Sequence, residues 1–148
     1  MQVADQVTKF PTIAVPPPVR VATGTVIDVP CQLVFDRVAR LDAVPLTAAR
    51  FGARWVVRVS EPSRRWCVET FTVRGWASVD YELDETSTGC FLRETVEFRS
   101  HGWRRTLDEG LTRVQIKRQS RRALARLKAS LEEHHGAGAS RPTLSPAV

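Results

Sequence analysis

Cysteine and histidine are scarce in this chain, and long apolar runs are absent. Only three of its 148 residues are cysteines, Cys31, Cys67 and Cys90. Odd in number, widely spaced, without a CxxC pair or a nearby histidine, they argue against both a disulfide scaffold and structural zinc. The histidines are His101, His134 and His135. The last two border a Gly/Ala/Ser-rich end, so a catalytic triad or di-histidine centre lacks parts, and neither a metal nor a cofactor is expected. No apolar run approaches the roughly 20 residues of a membrane span. The opening MQVADQVTKF has neither the basic end nor the apolar stretch of a signal peptide. These shortages predict a cytoplasmic protein with no membrane span.

The composition, 43% hydrophobic, 26% charged and 7% aromatic, excludes global disorder, collagen-like repeats and coiled-coil rods. At this length one domain is expected. The net charge is +6, yet seven basic residues and no acid lie between Arg113 and Lys128, so the remainder is close to neutral. Such a stripe serves nucleic acid or an anionic membrane in some proteins. More often it is the solvated face of a helix whose other face is buried, and basic residues in later turns suit the helix dipole.

Three segments follow from composition: a Pro-rich arm over 1–18, a domain over 19–135 and a disordered tail over 136–148. Pro11, Pro16, Pro17 and Pro18 remove backbone donors and favour an extended arm. From Val19, alternation of Val19, Val21, Thr23, Thr25, Ile27 and Val29 predicts a strand. Pro30 then opens a helix in which Cys31, Val34, Phe35, Val38 and Leu41 recur at helical spacing. A strand over FGARWVVRVSEP places Phe51, Ala53, Trp55, Val57 and Val59 on one face. RRWCVETFTVRG, WASVDYELDE and CFLRETVEFRS follow at short intervals, implying an antiparallel meander. After Gly102 the pattern turns helical to about His135, with Ile116, Ser120, Ala123/Leu124, Leu127 and Leu131 in one stripe. Leu107, Leu111 and Val114 fall on another face, which predicts a phase shift or a break near Gly110.

This order and several segments carry a resemblance. VIDVPCQLVFDRVARLDAVP resembles the opening of the polyketide cyclase/dehydrase and START-like (SRPBCC) superfamily, where a strand ends in a proline-led helix bearing a Val-Phe pair. VSEPSRRW resembles the hairpin after the superfamily's middle strand, TGCFLRETVEF its last strand and RRALARLKASLEEH its terminal helix. Together they cover roughly residues 19 to 135. The resemblance implies an α+β helix-grip fold: a curved antiparallel sheet wrapped around a long C-terminal helix, here with a reduced strand count, enclosing an apolar pocket for small organic molecules.

Register then selects the polar side chains that face such a pocket. In the last strand Glu94 shares parity with Leu92, Val96 and Phe98; in the preceding one Tyr81 shares it with Ala77, Val79 and Leu83. For the 66–73 strand two registers compete, Cys67, Glu69, Phe71 and Val73 against Trp66, Val68, Thr70 and Thr72. The candidate ligand-binding set is Trp55, Val57, Glu69, Phe71, Leu92 and Trp103, with Glu94 and Tyr81 as candidate catalytic groups. A carboxylate in an apolar pocket has its pKa raised by desolvation and can act as general acid or base near neutrality, with a tyrosine orienting a carbonyl oxygen. Equally open are a Glu94 paired with Arg54, Arg58 or an arginine of the final helix, and a Tyr81 that is ordinary core.

Two functions compete. The resemblance implies a cyclase or dehydratase acting on a hydrophobic carbonyl-containing intermediate, or a non-catalytic carrier of a lipid, quinone or other hydrophobic ligand. A specific nucleic-acid partner is not expected, because the meander lacks exposed aromatics interleaved with basic residues. Exposed sheet edges are compatible with a homodimer.

Overall fold

The computed structural model describes residues 17–40, 54–72, 75–100 and 105–139. Five strands, β1 (Val19–Ile27), β2 (Val56–Glu61), β3 (Arg65–Thr72), β4 (Gly75–Glu85) and β5 (Cys90–Ser100), form one antiparallel sheet in the order β1-β5-β4-β3-β2. Helix α1 (Cys31–Val38) follows β1, and helix α2 (Arg105–Ala139) closes the chain. The first strand thus pairs with the last and both helices pack on the same core, which is the α+β helix-grip arrangement.

The alternation read in the sequence sets which face is inside. On β5, Cys90, Leu92, Glu94, Val96 and Phe98 are all buried, and on β4 the same holds for Ala77, Val79, Tyr81 and Leu83. Ladder partners share a face, so Trp66 opposite Tyr81, Val68 opposite Val79 and Thr70 opposite Ala77 decide the register of β3. The inward set is Trp66, Val68 and Thr70, each 1% exposed or less. A bulge between Val57 and Val59 reverses the parity of β2. Val59 is thereby carried to the convex face opposite Cys67 and Ser60 to the concave face opposite Trp66, against the uninterrupted alternation expected there.

In α2 the residues Ile116, Ser120 and Leu124, spaced by four, are buried, and Leu127 and Leu131 are partly covered by the same core. This stripe lies mainly along β1. The helix is continuous, with no break at Gly110, and runs past the expected end through Gly136 and Gly138 to Ala139. Leu41, Phe51, Ala53, His101 and the proline arm before Pro17 lie outside the described residues.

Cys31 and Cys90 form a disulfide, Cα–Cα 5.0 Å, contrary to the expectation from cysteine number and spacing. Tertiary proximity decides this. The turn between β4 and β5 lies against the β1–α1 link, and a Cβ at Gly89 would come within 2.2 Å of the Ile27 carbonyl oxygen. Only a residue without a side chain permits that approach, which sets Cys90 beside the first residue of α1. Cys67 is left as the free, buried thiol.

Candidate functional site

Four strands contribute one residue each to a row across the concave face: Thr23 of β1 opposite Glu94 of β5, Glu94 opposite Tyr81 of β4, and Tyr81 opposite Trp66 of β3. Each is where strand parity puts it. Glu94 is 0% exposed and Tyr81 4%. The Trp66 and Tyr81 rings stack with centroids 5.9 Å apart and planes inclined by 27°, a geometry that adds to simple burial and steadies the phenol ring. From the helix side, Ser120 closes over the row and is 1% exposed.

Part of this polar row lacks well-formed hydrogen bonds. Both carboxylate oxygens of Glu94, the Ser120 hydroxyl and the Thr23 hydroxyl are buried without a hydrogen bond of good geometry. Burial pushes the Glu94 pKa upward, and the Ser120 and Tyr81 hydroxyls beside it offset part of that rise. The Tyr81 phenol is held well above its ordinary range, first by burial and then by the neighbouring Glu94 charge. It therefore remains a proton-bearing donor at any physiological pH.

Four arginines of the sheet are paired with other acids. Arg58 donates to Glu69 at 2.7 Å, Arg65 to Asp80 at 2.6 Å, Arg93 pairs with Glu82 at 3.5 Å and Arg20 with Glu97 at 3.5 Å. Strand parity puts these pairs on the convex face. Among the described residues no arginine pairs with Glu94, so the ion-pair alternative raised by the sequence is not realised. Trp55 is half-buried against the core, Leu92 is fully buried beside Glu94, and Val57 shares the concave parity on an exposed edge strand. Trp103 lies outside the described residues.

Two expected ligand contacts are corrected. Glu69 and Phe71 belong to the outer face of β3: Glu69 pairs with Arg58, and Phe71 is 65% exposed. The residues on the inner face are Trp66, Val68 and Thr70, with the Thr70 hydroxyl donating to the Arg54 carbonyl at 2.7 Å. Ser120 was legible as a member of the helix stripe but not as a site residue. A serine inside an apolar stripe is the signal that finds it.

Among the described residues no group of three or more His, Cys, Asp or Glu side chains is placed to hold a metal ion, and no helix is long and apolar enough to cross a membrane.

No family model matches the chain, and no curated protein matches it in sequence. Similar solved structures exist. The di-domain ARO/CYC StfQ from the steffimycin biosynthetic pathway superposes with a TM-score of 0.60 at 13% identity over 81% of this chain. This chain covers 53% of that protein, about half of its length. Ara h 8.0201 gives a TM-score of 0.53 at 12% identity, covering 76% of this chain and 97% of its own. An AHSA1-like protein from Rhizobium etli gives 0.50 at 19% identity, covering 78% and 82%. With the sheet order and the long packed helix, these likenesses identify the fold as a helix-grip fold.

Proposed function

We propose that the protein binds a hydrophobic, carbonyl-containing small molecule against the concave face and promotes its cyclisation or dehydration, with Glu94 as acid/base and Tyr81 as hydrogen-bond donor to the carbonyl oxygen. One observation carries the reading: Glu94, fully buried, has two unpaired carboxylate oxygens inside a row of polar groups that is otherwise enclosed by apolar side chains. An unpaired buried acid is costly, and clusters of this kind are enriched at functional sites.

The chemistry follows from the groups present. Ionised Glu94 takes the proton alpha to a carbonyl while Tyr81 donates a hydrogen bond to the developing enolate oxygen. The enolate carbon attacks a second carbonyl carbon, and the resulting alkoxide takes the proton back from Glu94. Removal of a further alpha proton with departure of the hydroxyl as water completes a dehydration. Burial favours the protonated acid, so the ionised form is the stronger base once it is present, and the raised pKa assists the abstraction step. Trp66, stacked on Tyr81, offers a flat aromatic wall.

A β-hydroxy aryl ketone that dehydrates to its conjugated enone is a suitable probe. Glu94→Gln is expected to keep the fold and slow this reaction by something like 10² to 10⁴-fold. Unchanged turnover removes Glu94 as a catalyst. Binding of the probe without turnover in the parent protein replaces the enzyme with a carrier.

A further inference from the structure

We propose that the seam between β1 and α2 is the entrance to the Glu94 row and that it selects ligands with an apolar body and an anionic head, held by Arg121 and Lys128. This rests on the cavity reading above and adds the class of ligand to it.

The helix runs along the strand in matched steps. Thr23, by the ladder, and Ser120, by its hydroxyl, flank Glu94. Two residues along β1 and one turn along α2, about 7 Å and 6 Å further on, Thr25 and Leu124 line the same groove. Beyond it the Asp28 amide donates to Glu132 at 2.9 Å, tying the strand's end to the helix. The groove so bounded has a volume of about 350 Å³. Thr25, Leu124, Ala125 and Ala129 line it with small or apolar surface, and Arg121 and Lys128 line it with positive charge. Leu124, Ala125 and Ala129 offer small and apolar surface for a hydrocarbon chain, and Thr25 and Leu124 are the next inward positions after Thr23 and Ser120, which flank Glu94.

Charge decides the head group. Glu132, the acid in the groove, accepts from the Asp28 amide and is ion-paired with Lys128 at 3.7 Å, so Arg121 is the lining cation with no acid of its own among the described residues. Arg121 is exposed and makes no ion pair with a described residue. Lys117 and Arg118 lie within about 60° of Arg121 around the helix at 100° per residue, and both are exposed. The field at the mouth is therefore positive, where an anion is attracted and a cation repelled. A carboxylate and a phosphate monoester share this chemistry.

Decanoate, decyl phosphate and decanol test the idea on the full chain, with binding followed by NMR signals of Ala125, Ala129 and the Trp66 indole. Both anions are expected to bind more tightly than decanol and to lose affinity as salt is raised. The tighter of the two identifies the head. Arg121→Glu is expected to weaken anion binding about tenfold or more and leave decanol unchanged. Arg122→Glu, with the same charge change about 100° around the helix, is expected to leave anion binding as it was. Equal affinity for anions and decanol, no effect of Arg121→Glu, or no binding of the anions overturns the proposal. Arg121-dependent binding that perturbs Ala125 and Ala129 but leaves Trp66 silent upholds the anion site, while removing the Glu94 row as the ligand's destination.

Discussion

Tyr81 stands directly opposite Glu94 in the β4–β5 ladder, both buried on the concave face, so the chain's single tyrosine is partnered with a carboxylate that no described cation neutralises. Trp66 stacks on that tyrosine from the next strand and Ser120 covers the acid from the helix. The arrangement concentrates unmet hydrogen-bonding capacity at one point of an apolar interior. That is what a recognition or catalytic site requires and what packing alone disfavours.

Stability should depend on pH through Glu94. Burial raises its folded pKa above the ordinary carboxylate value of about 4.3. Between those two values the native state holds a proton that the unfolded state has released. Stability therefore falls as pH rises through this window, is unaffected below it and stays reduced by a constant amount above it. Glu94→Gln should abolish that slope and be the more stable protein at the alkaline end. Urea midpoints of both proteins across the range test this, and curves that run parallel at every pH would contradict the burial of an unpaired acid.

Thiol counts should separate the cysteines. Under non-reducing, denaturing conditions one thiol, Cys67, should titrate, and after reduction three. In the native protein Cys67 should alkylate slowly, since burial pushes its thiol up to about 11. Replacing Cys31 and Cys90 together by serine should cost about 2 to 4 kcal/mol by removing the constraint on the unfolded chain. Three reactive thiols in the unreduced protein would exclude the bond.

The two faces of α2 should respond differently. Leu124 is 4% exposed whereas Arg126 is exposed. Leu124→Ala should cost roughly 2 to 5 kcal/mol, and Arg126→Ala should stay within about 0.5 kcal/mol. Chemical denaturation measures both. A stable Leu124→Ala protein would remove the helix from the core.

Nucleic acid should bind weakly and with a steep loss on adding salt, because Arg113, Lys117, Arg118, Arg121, Arg122 and Arg126 are exposed side chains of a single helix. Fluorescence anisotropy with a duplex and a single strand checks this. Sub-micromolar affinity at physiological salt, lost in an Arg121 and Arg122 double variant, would reassign the helix.

The convex face of β3 should be silent in ligand binding. Phe71→Ser and Glu69→Gln are each expected to leave affinity for any concave-face ligand unchanged. Loss of the exposed Arg58–Glu69 pair should cost no more than about 1 kcal/mol. A large drop in affinity from either variant would place the ligand on the outer face.

The sequence by itself determined the inward faces of β4 and β5 and the buried stripe of α2. Alternation along β4 and β5 put Ala77, Val79, Tyr81, Leu83, Leu92, Glu94, Val96 and Phe98 on one face, and the spacing of Ile116, Ser120 and Leu124 set the buried stripe of α2, because side-chain direction is a local property of a strand or helix. Tertiary structure decided the rest. The β3 strand carries apolar residues at both parities, so its register waited on which partners β4 offered, and Trp66 rather than Cys67 met Tyr81. The β2 bulge left no mark in composition, yet it turned Val59 outward. Cys31 and Cys90 are separated by 59 positions, and only the approach of the Gly89 turn to the β1–α1 link brings their sulfurs together. Whether Glu94 is paired was likewise beyond local pattern, since every arginine that might have reached it is a matter of which face each strand presents.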